Sequence, residues 1–173
     1  MKICFMLIGL FLLTLLQILF GNFALAVPFA LMGAVYFTVA YGWRYGAFGV
    51  FLTGSVLAAF YDTASLVPAV WIAVPAAVWW HQGHEDEPGL IGWQPGMFLV
   101  LGNLLALQAA RLASGGGVPQ TLAGWLFMVL QLVSCLILTL CLFPLVVLLG
   151  DAAAEWFGLP RFRAAGGAGG RSR

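Results

Sequence analysis

Residues 46–62 read GAFGVFLTGSVLAAFYD, an apolar stretch that ends on a carboxylate. Three small residues and this acid lie at multiples of four residues from one another, at Gly46, Gly54, Ala58 and Asp62. Because residues four apart lie on one face of a helix, this face is nearly bare of side chains until it reaches Asp62. In a lipid bilayer, such small-residue faces let two helix backbones approach closely. The stretch therefore predicts a membrane helix that packs tightly against a neighbour.

The composition of the whole chain indicates the same environment. Of the 173 residues, 63% are hydrophobic and only 8% are charged, whereas soluble domains carry about 25% charged residues. So few charges cannot cover a globular surface in water, so we expect the chain to lie in lipid. The net charge of +1 indicates neither a nucleic-acid partner nor a strongly acidic substrate.

Six apolar segments approach the length of about 20 residues that a membrane-spanning helix needs. They predict an all-α, polytopic transmembrane bundle of about six helices within residues 1–160. The basic, glycine-rich tail at residues 161–173 is expected to be disordered and cytoplasmic. The six segments are residues 3–20, 23–40, 46–62, 66–80, 96–113 and 121–150.

Proline positions and segment length change the helices that we expect from three of these segments. Pro28 is expected in the first turn of the second helix, where its missing N–H costs little. Pro75 is expected to kink the fourth helix. The sixth segment is too long for a simple span, so we expect a bend at Pro144 or an end that lies along the membrane surface. Residues 151–157 are then expected to form a short interfacial helix.

The first segment has one competing interpretation, a cleaved signal peptide. Lys2 would supply its positive region, and the Ala-Leu-Ala at residues 24–26 resembles a cleavage site. The apolar run exceeds the usual length of about 7–15 residues for the core of a signal peptide. We therefore favour a retained spanning helix.

The distribution of basic residues predicts the orientation. With six spans, one side holds most of the cations, and positive charge is enriched in cytoplasmic loops. Both termini are thus expected in the cytoplasm of a bacterial inner-membrane protein. Asp62 and Arg111 fall together on the opposite side, where we expect an ion pair to lower the cost of holding charge near hydrocarbon. The cytoplasmic cations are Lys2, Arg44, Arg161, Arg163, Arg171 and Arg173.

Catalytic and metal chemistry find little support in the sequence. The polar loop at residues 81–94 contains His81, His84 and an acidic run, which are ligand types for zinc or nickel. Gly83 and Pro88 oppose a helix that would aim both imidazoles at one ion, so a solvated acidic loop is favoured. The chain lacks recognisable hydrolase, metalloprotease and phosphate-loop motifs. We therefore expect no enzymatic activity and no cofactor.

The order of these features resembles the MreD family of bacterial rod shape-determining membrane proteins. The resemblance is carried by LLQILF at residues 15–20, by an aromatic segment that closes the second helix, and by Gly54, Ala58 and Asp62 in the third. The family's third helix reads roughly G-F-x-x-G-x-x-x-D, so Ala58 stands where a second glycine is usual. The last apolar segment, with Phe143-Pro144 and a basic tail after it, is also similar.

This resemblance implies a non-catalytic scaffold of the cell-elongation machinery, which builds peptidoglycan in rod-shaped bacteria. Its partners would be membrane lipid, an MreC-like bitopic protein, a RodA-like glycosyltransferase with its penicillin-binding transpeptidase, and indirectly MreB-like filaments. Gly46, Gly54, Ala58, Asp62 and Arg111 would serve helix packing or partner contact. The same architecture also resembles the substrate-binding S-component of energy-coupling-factor vitamin transporters. This second interpretation requires a pocket with convergent polar groups.

Overall fold

The computed structural model describes residues 1–21, 27–61, 71–79 and 121–162. Throughout these ranges, every regular element is an α-helix, so the all-helical part of the predicted fold is confirmed there. The number of spans stays a prediction. The helices are α1 (Lys2–Gly21), α2 (Phe29–Tyr41), α3 (Trp43–Tyr61) and α4 (Leu122–Trp156), and residues 71–79 are also helical.

Helix α2 is the centre around which the other helices pack. Every residue from Phe29 to Val39 is buried, with no exposed stripe on any side. Such all-round burial suits a helix that is apolar on every face. Helices α1, α3 and α4 each contact α2, and α1 also contacts α3. The small-residue stretch in α3 is thus one wall of a core that α2 organises.

The start of α2 is capped by a side chain from α1. The sequence predicted Pro28 within the first turn of the helix, but Pro28 is the residue that precedes it. It offers no side-chain oxygen to the free N–H groups of the first turn, which are normally satisfied by such a cap. Instead, the side-chain oxygen Oε1 of Gln17 accepts a hydrogen bond of 2.9 Å from the N–H of Ala30. Gln17 is the polar residue of the LLQILF motif and joins α1 to α2.

We expect Gln17→Leu, which keeps the size of the side chain but removes the acceptor, to lower the free energy of unfolding by about 1 kcal/mol, the usual value of a helix cap. Thermal unfolding in detergent, followed by circular dichroism, measures this change. Gln17→Glu is the matched control, since it retains an oxygen acceptor near the positive end of the α2 dipole. Equal stability of Gln17→Leu and the parent chain would contradict the capping role.

The connection between α2 and α3 is a single residue, Gly42. Its φ of 101° lies in a region that glycine adopts without steric cost. The Gly42 N–H donates to the carbonyl oxygen of Thr38 at 2.9 Å and closes the end of α2. This compact turn lets α3 begin at Trp43, three residues before the predicted start at Gly46.

Helix α4 is longer than any single predicted segment. It runs unbroken from Leu122 to Trp156 with Pro144 inside it, and its 35 residues span about 52 Å at 1.5 Å per residue. The predicted segment at residues 121–150 is six residues too short, because Asp151 continues the same helix to Trp156. The placement of that end along the membrane surface stays a prediction. The length of α4 exceeds the hydrocarbon thickness of about 30 Å, and its first half exposes large apolar side chains such as Leu122 and Phe127.

Among the described residues, two helices are long and apolar enough to cross a membrane: Lys2–Gly21 and, within α4, Leu136–Trp156. Only 17% of the first and 22% of the second is buried inside the protein. The core helix of a soluble protein is mostly buried, so these two helices differ from it in the apolar surface that they leave uncovered. Phe11, at 65% exposure, and Leu149, at 72%, illustrate this surface.

Candidate functional site

The small-residue face of α3 lies directly against α2. Gly46 is buried, and a Cβ atom placed on it would lie 2.9 Å from the Cβ of Thr38 and 3.0 Å from the carbonyl oxygen of Ala34. Real Cβ atoms almost never lie closer than 3.0 Å to another heavy atom, and a contact at 3.0 Å is already tighter than most. The hydroxyl of Thr38 donates to the same Ala34 oxygen at 2.6 Å and is thereby satisfied within its own helix. The two backbones therefore touch at Gly46.

Of the four other predicted packing positions, the structure describes Gly54 and Ala58. Gly54 is buried and Ala58 is half-buried on the same side of α3. Asp62 and Arg111 lie outside the described residues, as does the loop at residues 81–94, and the Asp62–Arg111 ion pair stays a prediction. The opposite side of α3 exposes bulky apolar side chains, namely Phe48, Phe51, Val56 and Phe60.

An exposed hydroxyl on that bulky side is satisfied within its own helix. Ser55 donates to the carbonyl oxygen of Phe51 at 2.6 Å. A hydroxyl in water needs no such partner, whereas one facing hydrocarbon is costly unless it is bonded. The outer side of α3 thus presents neither an unsatisfied hydroxyl at Ser55 nor a charge among its exposed residues after Arg44.

A polar contact at Asp151 joins α4 to α2. The carboxylate is buried, and its Oδ1 accepts hydrogen bonds from the Tyr36 hydroxyl at 3.0 Å and from the Phe162 N–H at 2.7 Å. The Tyr36 ring stacks on that of Phe162, with centroids 5.9 Å apart. Gly150 lets this ring approach α4, since a Cβ at Gly150 would lie 2.9 Å from Tyr36 Cε2. One carboxylate oxygen therefore connects two helices and the segment after α4.

The segment after α4 turns back through a glycine. Gly158 has a φ of +61°, and its N–H donates to the carbonyl oxygen of Glu155 at 3.1 Å. The N–H of Leu159 donates to the oxygen of Ala154 at 2.9 Å. This pair of bonds is the Schellman motif, which ends many helices at a glycine. The turn directs the chain toward the core, where Phe162 is buried beside Phe143.

The described charged side chains all lie at one end of the bundle. The rings of Phe5 and Phe157 are 5.9 Å apart, which places the start of α1 beside the end of α4. Phe5 also contacts Phe37 at 6.1 Å, so α2 ends and α3 begins at this end as well. The charged residues concerned are Lys2, Arg44, Asp151, Glu155 and Arg161. We call this end the charged end.

An apolar groove of ≈ 580 Å³ lies between α1 and α4, with α2 as its floor. It begins at the charged end and extends along the first half of α1. Apart from backbone atoms, its polar contributions are limited to the Cys4 thiol and the edge of Tyr36. The lining residues are Met1, Cys4, Phe5, Ile8, Gly9, Leu12, Leu13, Gly33, Tyr36, Phe37, Val146, Leu149, Gly150, Ala153, Phe157 and Leu159.

Sequence reasoning had not identified the contact between Tyr36 and Asp151. It assigned Asp151 to an interfacial helix and did not link it to Tyr36. The structure instead buries Tyr36 to 2% exposure against α4. The two residues are separated by 115 positions, so no local spacing links them. The available signal was an acid within one turn of a long apolar segment, which is a functional or structural hypothesis by default.

Comparison of the chain with protein-family models, with curated proteins and with solved structures gives no match. The resemblance to MreD therefore depends on the sequence motifs alone.

Proposed function

We propose that this protein is a non-catalytic scaffold in a bacterial inner membrane, similar to MreD, that binds other membrane proteins of the cell-elongation machinery through its helix surfaces. The observation that carries the proposal is the uncovered apolar surface of α1 and of residues 136–156, most of which is not buried within the chain. Such a surface in water would promote aggregation, whereas lipid and partner helices cover it without cost.

The placement of charge supports a membrane orientation. Lys2, Arg44 and Arg161 lie at the charged end, and cations near the ends of spanning helices are enriched on the cytoplasmic side. We infer that the charged end faces the cytoplasm, with both termini on that side. The Ser55 hydroxyl, bonded within its own helix, suits a helix side that faces lipid.

The scaffold is favoured over a vitamin-binding S-component by the character of the groove. A vitamin site needs several convergent polar groups to orient its ligand. The groove between α1 and α4 is lined almost wholly by apolar side chains, and the Tyr36 hydroxyl is bonded to Asp151. Binding through shape and apolar contact is what this surface supports.

Two measurements test the proposal. Green fluorescent protein, which becomes fluorescent in the cytoplasm but not after export, is fused in turn to each terminus, and both fusions are expected to fluoresce in alkali-washed membranes. Affinity purification in mild detergent is expected to recover an MreC-like bitopic protein and a RodA-like glycosyltransferase. Release of the chain by alkali would refute the membrane location. Recovery of an ATPase module instead of these partners would refute the scaffold and favour the transporter.

A further inference from the structure

We propose that the groove between α1 and α4 binds one acyl chain of an anionic phospholipid, with the headgroup at the charged end. This inference rests on the proposed membrane location but not on the scaffold role. It assigns a ligand to a surface that packing among the described helices leaves open.

The length of the groove matches one leaflet of a bilayer. Its lining on α1 runs from Met1 to Leu13, and twelve steps of 1.5 Å make about 18 Å. The hydrocarbon core of a bilayer is about 30 Å thick, so one leaflet contributes about 15 Å. A chain entering at the charged end would therefore follow the groove through its own leaflet.

The groove suits an acyl chain in its free space and in its lining. Its volume of ≈ 580 Å³ admits a hydrocarbon chain, whose carbon atoms contact their neighbours at about 4 Å. The lining side chains are apolar along the whole of this length, so a hydrocarbon that enters the groove is removed from water.

Small residues set the walls and the floor of the groove. Gly9 on α1, Gly33 on α2 and Gly150 with Ala153 on α4 all line it. The three glycines let the helices pack closely, since a Cβ on each would lie 3.2 Å or less from a side chain of a neighbouring helix. The side chains that line the rest of the groove are apolar and match a hydrocarbon. The floor at Gly33 is held close to α1, where the Leu13 and Leu10 side chains pack over it.

The charge at the mouth selects an anionic headgroup. Lys2 follows Met1, which lines the groove, and is exposed. Arg161 lies two residues beyond Leu159, another lining residue, and its Nη1 is 3.2 Å from Glu155 Oε2. Both side chains of that pair remain about half exposed, at 45% and 65%, so a phosphate can share the Arg161 guanidinium. Cations at a membrane surface favour anionic lipids by about fivefold each.

The test measures how much phosphatidylglycerol the full chain retains after it is equilibrated with this lipid and purified in mild detergent. The amount retained by the parent chain is compared with the amounts retained by its variants. Native mass spectrometry is expected to detect one tightly held phosphatidylglycerol per protein. Ala153→Phe fills the groove and is expected to reduce this retention at least tenfold. Ala152→Phe is the matched control, because Ala152 is the adjacent exposed residue and does not line the groove. Its retention is expected to equal that of the parent.

A second variant and a second lipid complete the experiment. Cys4→Phe narrows the groove from the α1 wall and provides the test if Ala153→Phe does not fold, as judged by gel filtration. Equilibration with phosphatidylcholine of the same acyl length is expected to give about fivefold less binding, and Lys2→Gln is expected to reduce this preference. Undiminished retention in a folded groove variant would overturn the proposal, as would equal retention of the two lipids. Neither result would alter membrane association, which tests the proposed function separately.

Discussion

Gly46→Ala is expected to lower the free energy of unfolding by about 3 kcal/mol, at the upper end of the usual cost of overpacking. The added methyl group would overlap the side chain of Thr38 and lie 3.0 Å from the carbonyl oxygen of Ala34. A flexible side chain could move aside, but a backbone oxygen inside α2 cannot move without displacing the helix. Since folded proteins are stable by only about 5–15 kcal/mol, the yield of folded protein should fall as well.

The same helix offers a matched control for this substitution. The atom nearest to a Cβ on Gly49 would be Leu10 Cδ1, at 2.9 Å, and the end of a leucine side chain can rotate away. Gly49→Ala also gains up to about 1 kcal/mol of helix propensity, so its net effect should be small. Thr38→Ala, combined with Gly46→Ala, removes the hydroxyl nearest the new methyl group and should restore part of the loss.

Thermal unfolding in detergent, monitored by circular dichroism, measures these three variants and the parent chain under one condition. If Gly46→Ala and Gly49→Ala prove equally stable, the close contact between α2 and α3 at Gly46 is not as described. A loss at Gly46 with no recovery in the double variant would place the conflict at the Ala34 oxygen and at the Cβ of residue 38, which alanine retains.

Asp151→Ala is expected to cost about 3 kcal/mol, because it leaves two buried donors without their acceptor. The Tyr36 hydroxyl and the Phe162 N–H both donate to Asp151 Oδ1, and each buried donor left unsatisfied costs about 1–3 kcal/mol. The segment that carries Phe162 should then detach from the core. Limited proteolysis after Arg161 is a direct readout of that detachment.

Three variants resolve how the Asp151 contact contributes. Asp151→Asn retains an acceptor oxygen and should lose less stability than Asp151→Ala. Tyr36→Phe removes one donor, so its combination with Asp151→Ala should cost less than the two single changes added, with a coupling of about 1 kcal/mol. Glu155→Ala, one turn later, removes only an exposed ion pair and should change stability by less than about 1 kcal/mol. Additive effects of the Tyr36 and Asp151 changes would show that the hydrogen bond contributes nothing.

Local patterns in the chain were sufficient to predict that the described helices exist. Uninterrupted apolar runs predicted α1 almost to the residue, since residues 3–20 became Lys2–Gly21. They also predicted the existence of α2 and α3, but α2 begins at Phe29 instead of residue 23, and α3 at Trp43 instead of Gly46. These errors arose at Pro28 and Gly42, where a side chain from another helix and a glycine of positive φ set the boundaries. Boundaries of this kind depend on contacts that a single run of residues does not contain.

The candidate site was less accessible to sequence reasoning for the same reason. Four-residue spacing identified Gly46 as a packing position, but it did not identify the neighbour, which is α2. The groove is formed by residues from α1, α2 and α4 together, and no segment contains a sign of it. Asp151 was visible as an acid near an apolar run, yet its partner Tyr36 is distant in the chain.

Hydropathy and small-residue spacing, which are properties of neighbouring residues, were enough to establish a chain of apolar helices with a tight contact at Gly46. The central position of α2, the Tyr36–Asp151–Phe162 contact and the open groove depend on which helix faces lie together. In a chain this uniformly apolar, many helix arrangements bury similar hydrophobic area, so hydrophobicity does not choose among them. Close backbone approach and the pairing of a few buried polar groups make that choice, and both exist only once the helices are assembled.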